Sequence, residues 1–226
     1  MKKNIAVIFG GCSPEYSVSL KSAYGVLTHI NTSRYQVIAV GITKDGQWLR
    51  YDGDYDKIPE DTWHYDRLSC HPAFLSPDRT THGLAEIHDE GLRFTWLDGV
   101  FPVLHGKNGE DGSMQGLISL SGIPLIGCDT LSSALCMDKF RAHQLADIAG
   151  IRTPKSIYFD HRPAAVEILA KCKSLSYPVF VKPLRAGSSF GITKVHKEED
   201  LLEAAYLAFS YDSQIVICLL YTSRCV

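Results

Sequence analysis

The chain has 226 residues, of which 45% are apolar, and a formal charge of -2, which gives enough chain and enough apolar surface for one or two packed domains. So small a charge offers no basic surface to hold nucleic acid or anionic lipid by charge alone, and nowhere does a run of about 18 apolar residues suggest a membrane span. The expectation is a cytoplasmic protein that works on small molecules, with neither nucleic-acid nor membrane partners.

The opening M-K-K-N-I-A-V-I-F-G-G has an apolar run too short for a signal peptide and ends in Gly-Gly without a small-residue cleavage site. Ile5 to Phe9 therefore reads as a strand buried on both faces. Ser13 is the expected N-cap of a following helix, with Pro14 in its first position, Glu15 in its first turn and an end near Ile30. Strand, glycine turn and helix together make the opening unit of a parallel sheet. Val37 to Thr43 and Gln47 to Tyr51 flank Asp45-Gly46, a hairpin signal. Residues 52 to 80 read as an irregular excursion. Leu84 to Ile87 and Leu92 to Trp96 suggest a second hairpin. Gly99 to Leu104 is a further strand running into H-G-K-N-G-E-D-G; a helix is expected over 113 to 121 and a short strand over Ile123 to Ile126.

From Thr130 the pattern predicts one helix with Met137, Phe140, Leu145 and Ile148 on a face, ended by Gly150 and Pro154. A domain boundary is placed there. A helix near 163 to 173 precedes two strands, Pro178 to Lys182 and Gly191 to Val195, joined by P-L-R-A-G-S-S-F. Glu198 to Phe209 is amphipathic, and Ile215 to Ile217 begins another strand. Seven cysteines without a C-x-x-C pair are expected to be free thiols. Cys70, His71, His82 and His88 fit no common structural-zinc spacing.

Four places could carry chemistry. Gly10, Gly11 and the helix start at Ser13 offer N–H groups to a small anion, and Glu15 beside them suits a cationic amine, so the pair would hold a zwitterionic amino acid. The plainer reading is a tight turn with a dipole-complementing acid. His105 follows a strand, at the end of a sheet where ligands bind in open α/β folds; three glycines in the next seven residues cost more conformational entropy than a simple connection needs. Lys139 and Lys182 could straddle the phosphates of a nucleotide. R-A-G-S-S-F-G has the composition of a lid over phosphate, with donors from Gly187, Ser188 and Ser189, or of a plain surface hairpin. There is no Walker loop and no G-x-G-x-x-G fingerprint.

Taken in order, G-G-C-S-P-E-Y-S-V-S, V-L-H-G-K-N-G-E-D-G-S-M-Q-G, C-D-T-L-S-S-A-L-C-M-D-K and V-K-P-L-R-A-G-S-S-F-G-I-T-K-V resemble the D-alanine:D-alanine ligases, above all the vancomycin-resistance branch that makes D-alanine:D-serine. The resemblance covers residues 3 to 217. It implies an α/β protein with a Rossmann-like pre-ATP-grasp domain over 1–129, followed by an incomplete ATP-grasp domain over 130–217. It also implies ATP and Mg2+ as cofactors, D-alanine and a second D-amino acid as substrates, and a full-length homodimer formed through the first domain. Glu15 would hold the first D-alanine's ammonium with Ser188 steadying it, and both count as catalytic. Val18 and His105 would line the first substrate's site, His105 at its carboxylate. Lys139, Lys182, Gly187, Ser188 and Ser189 would bind ATP.

After I-V-I the family pattern continues with acids and a C-terminal domain that brings the magnesium ligands and the loop selecting the second substrate. Here Cys218 follows, without an acid up to Val226. Residues 218–226 are thus expected to be non-native and the chain catalytically inactive. A short non-catalytic module binding an amino acid or nucleotide, and an ATP-grasp ligase for another carboxylate, are the alternatives; Glu15 and His105 speak against the latter.

Overall fold

A computed structural model describes residues 1–187 and 189–220; the expectations for Ser188 and for residues 221–226 lie outside the described residues. The chain divides into two compact units, Met1–Ala134 and a second beginning at Leu135.

The first unit is built on β1 (Lys3–Gly10), whose last six residues are buried. α1 (Tyr16–His29) leads from it to β2 (Tyr35–Ile42), and β1 pairs in parallel with β2 on one side and with β7 (Gly99–Pro102) on the other. From β2 the sheet grows by antiparallel pairing through β3 (Trp48–Tyr51), β4 (Cys70–Leu75), β5 (Gly83–His88) and β6 (Gly91–Trp96), in the order β6-β5-β4-β3-β2-β1-β7. Both expected hairpins are present. The parallel arrangement is confined to β2, β1 and β7. α2 (Ser113–Ser121) follows as expected. Ile8, Val40, Leu75, Leu84, Val100 and Ile118 form one core cluster, and Phe9, Leu20, Tyr51 and Trp63 belong to another.

Several expectations change. α1 starts at Tyr16, three residues after Ser13, because the Ser13 hydroxyl accepts from the Glu15 N–H at 3.2 Å and so caps a turn before the helix. The stretch 52 to 80 contains two short 3-10 turns and β4, which occupies the middle of the sheet extension. Its C-H-P-A-F-L sequence hides a strand, since Pro72 and His71 interrupt the apolar alternation. Residues 123 to 126 contribute one parallel bridge, Leu125 to Val100, in place of a strand.

The helix expected from Thr130 is two helices, α3 (Thr130–Met137) and α4 (Lys139–Ile148). They are separated by Asp138, which is extended and accepts the Arg141 N–H at 3.0 Å as the N-cap of α4. The face expected to carry Met137, Phe140, Leu145 and Ile148 is divided between the two helices, and Leu145 and Ile148 are 47% and 83% exposed.

In the second unit β8 (Ser156–Phe159), which sequence pattern alone did not suggest, β9 (Val179–Pro183), β10 (Thr193–Val195) and β11 (Ile215–Leu219) form an antiparallel sheet in the order β10-β9-β11-β8. α5 (Ala165–Cys172) and α6 (Leu201–Tyr211) supply Ile168, Cys172, Leu201, Ala204, Ala205 and Ala208 to its core. The acids at 198 to 200 form a 3-10 turn ahead of α6. β11 runs past Ile217: Cys218 is buried and paired with Phe180 and Ser156.

Candidate active site

In the first unit the carboxyl ends of β1 and β7 are adjacent, and the turns that leave them are locked together. Gly10 sits at a φ of +86°, and a Cβ there would overlap the Ile42 carbonyl, so only glycine lets the chain turn so close to β2. The Gly10 N–H donates to the buried Ser19 hydroxyl at 2.8 Å, and Ser19 in turn donates to the Val103 carbonyl at 2.5 Å. Ser13 donates to the His105 carbonyl at 2.9 Å.

Glu15 is 1% exposed. Its carboxylate lies against the His105-Gly106 turn so tightly that a Cβ on Gly106, at a φ of +70°, would overlap it. His105 presents Nε2 to the Ser22 hydroxyl at 3.0 Å. Val18 is half-buried on α1. The loop after His105 spends its acids on itself: Glu110 accepts the Gly106 N–H at 2.7 Å, and Asp111 accepts from Asn108 and Ser113. Burial acts to raise the Asp111 pKa, but these N–H donors outweigh it and hold the carboxyl below its ordinary value. Gln115 closes the loop by donating to the Gly109 carbonyl at 2.8 Å and accepting the Gly112 N–H at 3.1 Å.

A cavity of about 240 Å³ opens among Gly10, Gly11, Cys12, Trp48, His105 and Asn108. His105 is on its wall; Glu15 is not among its lining residues. Glu15, His105 and the glycine turn are thus brought together, as the sequence led one to expect, with the acid packed onto the His105 turn. Sequence reasoning missed Ser19 and Ser22. Their only signal was the spacing 15, 19, 22, which puts all three side chains on one stripe of a helix.

In the second unit Lys139, the first residue of α4, donates through Nζ to the carbonyls of Leu184 and Ala186 at 3.1 and 2.7 Å. The lysine thereby holds the start of the glycine loop. Arg185 pairs with Asp212 at 3.2 Å and its N–H donates to the same carboxylate, fixing the loop's base. Within the loop Ser189 has a φ of +63°, the left-handed region that favours glycine. Gly187 accepts from the Phe190 N–H. Lys182 lies on β9 with Nζ 5.1 Å from the Phe180 ring centre. His143, one turn beyond Lys139, was not anticipated. Burial first, and then the Lys182 ammonium, push its pKa below the ordinary 6.5, with Asp147 opposing and Lys139 adding a smaller lowering.

No group of three or more His, Cys, Asp and Glu side chains among the described residues is placed to hold a metal ion. The side chains present do not make a magnesium site, so no residue is assigned to one. No helix among the described residues is long and apolar enough to cross a membrane.

An α/β unit with glycine turns at the carboxyl ends of its parallel strands, followed by an antiparallel unit carrying Lys139, Lys182 and a glycine loop, has the architecture of the ATP-grasp ligases. The structure of the VanG D-Ala:D-Ser ligase from Enterococcus faecalis superposes with a TM-score of 0.86 and 48% identity, over 99% of this chain and 64% of that one. The D-alanine-D-alanine ligase of Coxiella burnetii superposes with a TM-score of 0.84 and 25% identity, over 98% of this chain and 65% of that one. The family profile described as D-ala D-ala ligase N-terminus matches residues 4–128, and its C-terminus counterpart matches 147–224. The chain belongs to the D-alanine:D-alanine ligase family. The vancomycin B-type resistance protein VanB of Enterococcus faecalis is 47% identical over 96% of this chain, and the D-alanine--D-alanine ligase of Caldicellulosiruptor bescii is 44% identical over 96%. This chain spans 59% of the length of each of these two relatives.

Proposed function

We propose that the full-length protein is an ATP-dependent ligase that joins D-alanine to a second D-amino acid, D-alanine or D-serine, for peptidoglycan precursors, acting in the cytoplasm as a homodimer. The observation that carries this reading is Glu15, buried against the His105-Gly106 turn where β1 and β7 end. A carboxylate held there suits an ammonium, and the imidazole beside it suits a carboxylate, so one zwitterion can be gripped at both ends. Val18 belongs to the same subsite. In the second unit Lys139, Lys182 and the loop through Gly187, Ser188 and Ser189 are the residues for ATP phosphates.

The chemistry this serves has two steps. A carboxylate oxygen of the first D-alanine attacks the γ-phosphorus of ATP and ADP leaves, giving an acyl phosphate. The amine of the second amino acid then attacks the acyl carbon; phosphate leaves, the amine loses a proton and the peptide bond remains. Glu15 orients the first substrate through its ammonium, His105 holds the carboxylate, and the lysines offset the phosphate charge. A loop that covers the phosphates also keeps water from hydrolysing the intermediate.

Kinetics on the full-length protein test this reading. ATP consumption is expected to require D-alanine, and supplying D-serine as well is expected to yield the mixed dipeptide. Glu15→Gln, which keeps the shape and removes the charge, is expected to raise KM for the first D-alanine about tenfold or more, equivalent to at least ~1.4 kcal/mol, with KM for ATP within about twofold. D-alanine-independent turnover, or equal losses for both ligands, would rule the assignment out.

A further inference from the structure

Glu15, the N-cap of α1, and Ser19 and Ser22 within it are spaced by four and three residues and therefore follow one stripe. That stripe faces the end of β7. Ser19 bonds the Val103 carbonyl, and Ser22 meets the ring of His105 with Oγ 3.0 Å from Nε2. Ser13, ahead of the helix, holds the His105 carbonyl. His105 is thus gripped at its main chain by one serine and at its ring by another.

We propose that Ser22 is a positioning residue that sets the tautomer of His105, its hydroxyl donating to Nε2 so that the ring keeps its proton on Nδ1. A neutral imidazole has one donor and one acceptor nitrogen, and the bond made by one nitrogen decides the state of the other. Among the described residues the His105 ring is the one hydrogen-bond partner of the Ser22 hydroxyl, and donating to Nε2 keeps the hydroxyl hydrogen on that partner. The opposite arrangement would turn that hydrogen toward solvent. It would also leave a lone pair on Nδ1, the ring's other nitrogen, and a lone pair repels the carboxylate that His105 is assigned. Ser22 therefore turns a histidine that could be either donor or acceptor into a donor at Nδ1. What the donor serves rests on the ligase reading; the tautomer itself is a property of this turn.

The test is a two-bond proton–nitrogen spectrum of the histidine rings in the 15N-labelled 226-residue chain, with His105 assigned by loss of its signals in His105→Gln. The native ring is expected to show a protonated Nδ1 and an unprotonated Nε2. Ser22→Ala, a substitution that favours helix, is expected to lose that signature in favour of the Nε2-protonated form that free imidazole side chains prefer. Ser22→Thr, which keeps a hydroxyl, is expected to restore it. A native ring protonated on Nε2, or a ring in Ser22→Ala identical to the native one, overturns the proposal. Should Ser22→Ala lose its amide fingerprint, Ser22→Cys supplies the same comparison with a similarly sized but weak donor.

In the full-length protein Ser22→Ala is expected to raise KM for D-alanine about tenfold, with Ser22→Thr near the native value. If the tautomer follows Ser22 while D-alanine kinetics do not, Ser22 is upheld as the positioning residue and the ligase role of His105 falls.

Discussion

His143 reports on its neighbours. Burial first, and then the charges of Lys182 and Lys139, lower its pKa from the ordinary 6.5, so the folded chain resists protonating it more than the unfolded chain does. Its contribution to stability is full above about pH 6.5 and is lost as the pH falls through the lowered folded value. His143→Gln should flatten that decline, measured as urea midpoints between roughly pH 7 and 5. A polyphosphate bound at Lys139 and Lys182 brings negative charge to the same place and favours the imidazolium. Adding ATP to the 226-residue chain should therefore move the His143 titration, followed by ring proton shifts, to higher pH. A midpoint that stays still or drops would remove these lysines from the nucleotide site.

At the level of elements, Ser19 joins three of them: β1 through the Gly10 N–H, α1 through its own backbone, and the end of β7 through the Val103 carbonyl. Replacing it with Ala leaves a buried N–H and a buried carbonyl short of a partner, which costs about 1–3 kcal/mol for each group left unsatisfied. Ser19→Ala is expected to lower the stability of the first unit by about 2–4 kcal/mol in urea unfolding; a change under about 0.5 kcal/mol, the size of an ordinary surface substitution, would show that the pin is not needed.

The same residue shows where sequence reading stops. The run Ile5–Phe9, the glycine turn, the two hairpins and the glycine loop before α2 were legible because apolar periodicity and turn chemistry are local. Glu15 and His105 could be singled out because each follows a buried strand, Glu15 across the glycine turn and His105 directly. Ser19 and Ser22 were not, since a serine inside a helix usually faces water and the Val103 carbonyl and His105 ring that they meet lie more than 80 residues away in sequence. β4 was hidden by Pro72, and the break between α3 and α4 by an apolar pattern that continues across Asp138 in sequence but not in space.

For the whole molecule, the antiparallel extension leaves one face bare. Cross-strand partners share a face, and Phe74, Ala85 and Phe94 are aligned in one row, with Ile87 opposite Leu92 and Gly83 opposite Trp96. Phe74, Ile87, Leu92, Phe94 and Trp96 are 39–56% exposed, while Leu75 and Leu84, on the other face, are buried in the core. Scaling full aromatic burial of about 150–250 Å² by that exposure gives roughly 300 Å² per copy for the three aromatics, which Ile87, Leu92 and the patch rim extend toward about 500 Å². Two copies related by a two-fold axis would set this patch against itself and bury about 1,000 Å², the lower bound for a specific interface. In the homodimer proposed above, a second copy of this chain is the occupant expected on this face. Light scattering on the full-length protein is expected to give a dimer, and Phe94→Asp combined with Trp96→Ser a monomer with an unchanged far-ultraviolet spectrum. A native monomer, or a dimer untouched by both substitutions, would place the contact elsewhere or deny it, because a charge buried at the centre of so small an apolar patch costs more than the patch can return.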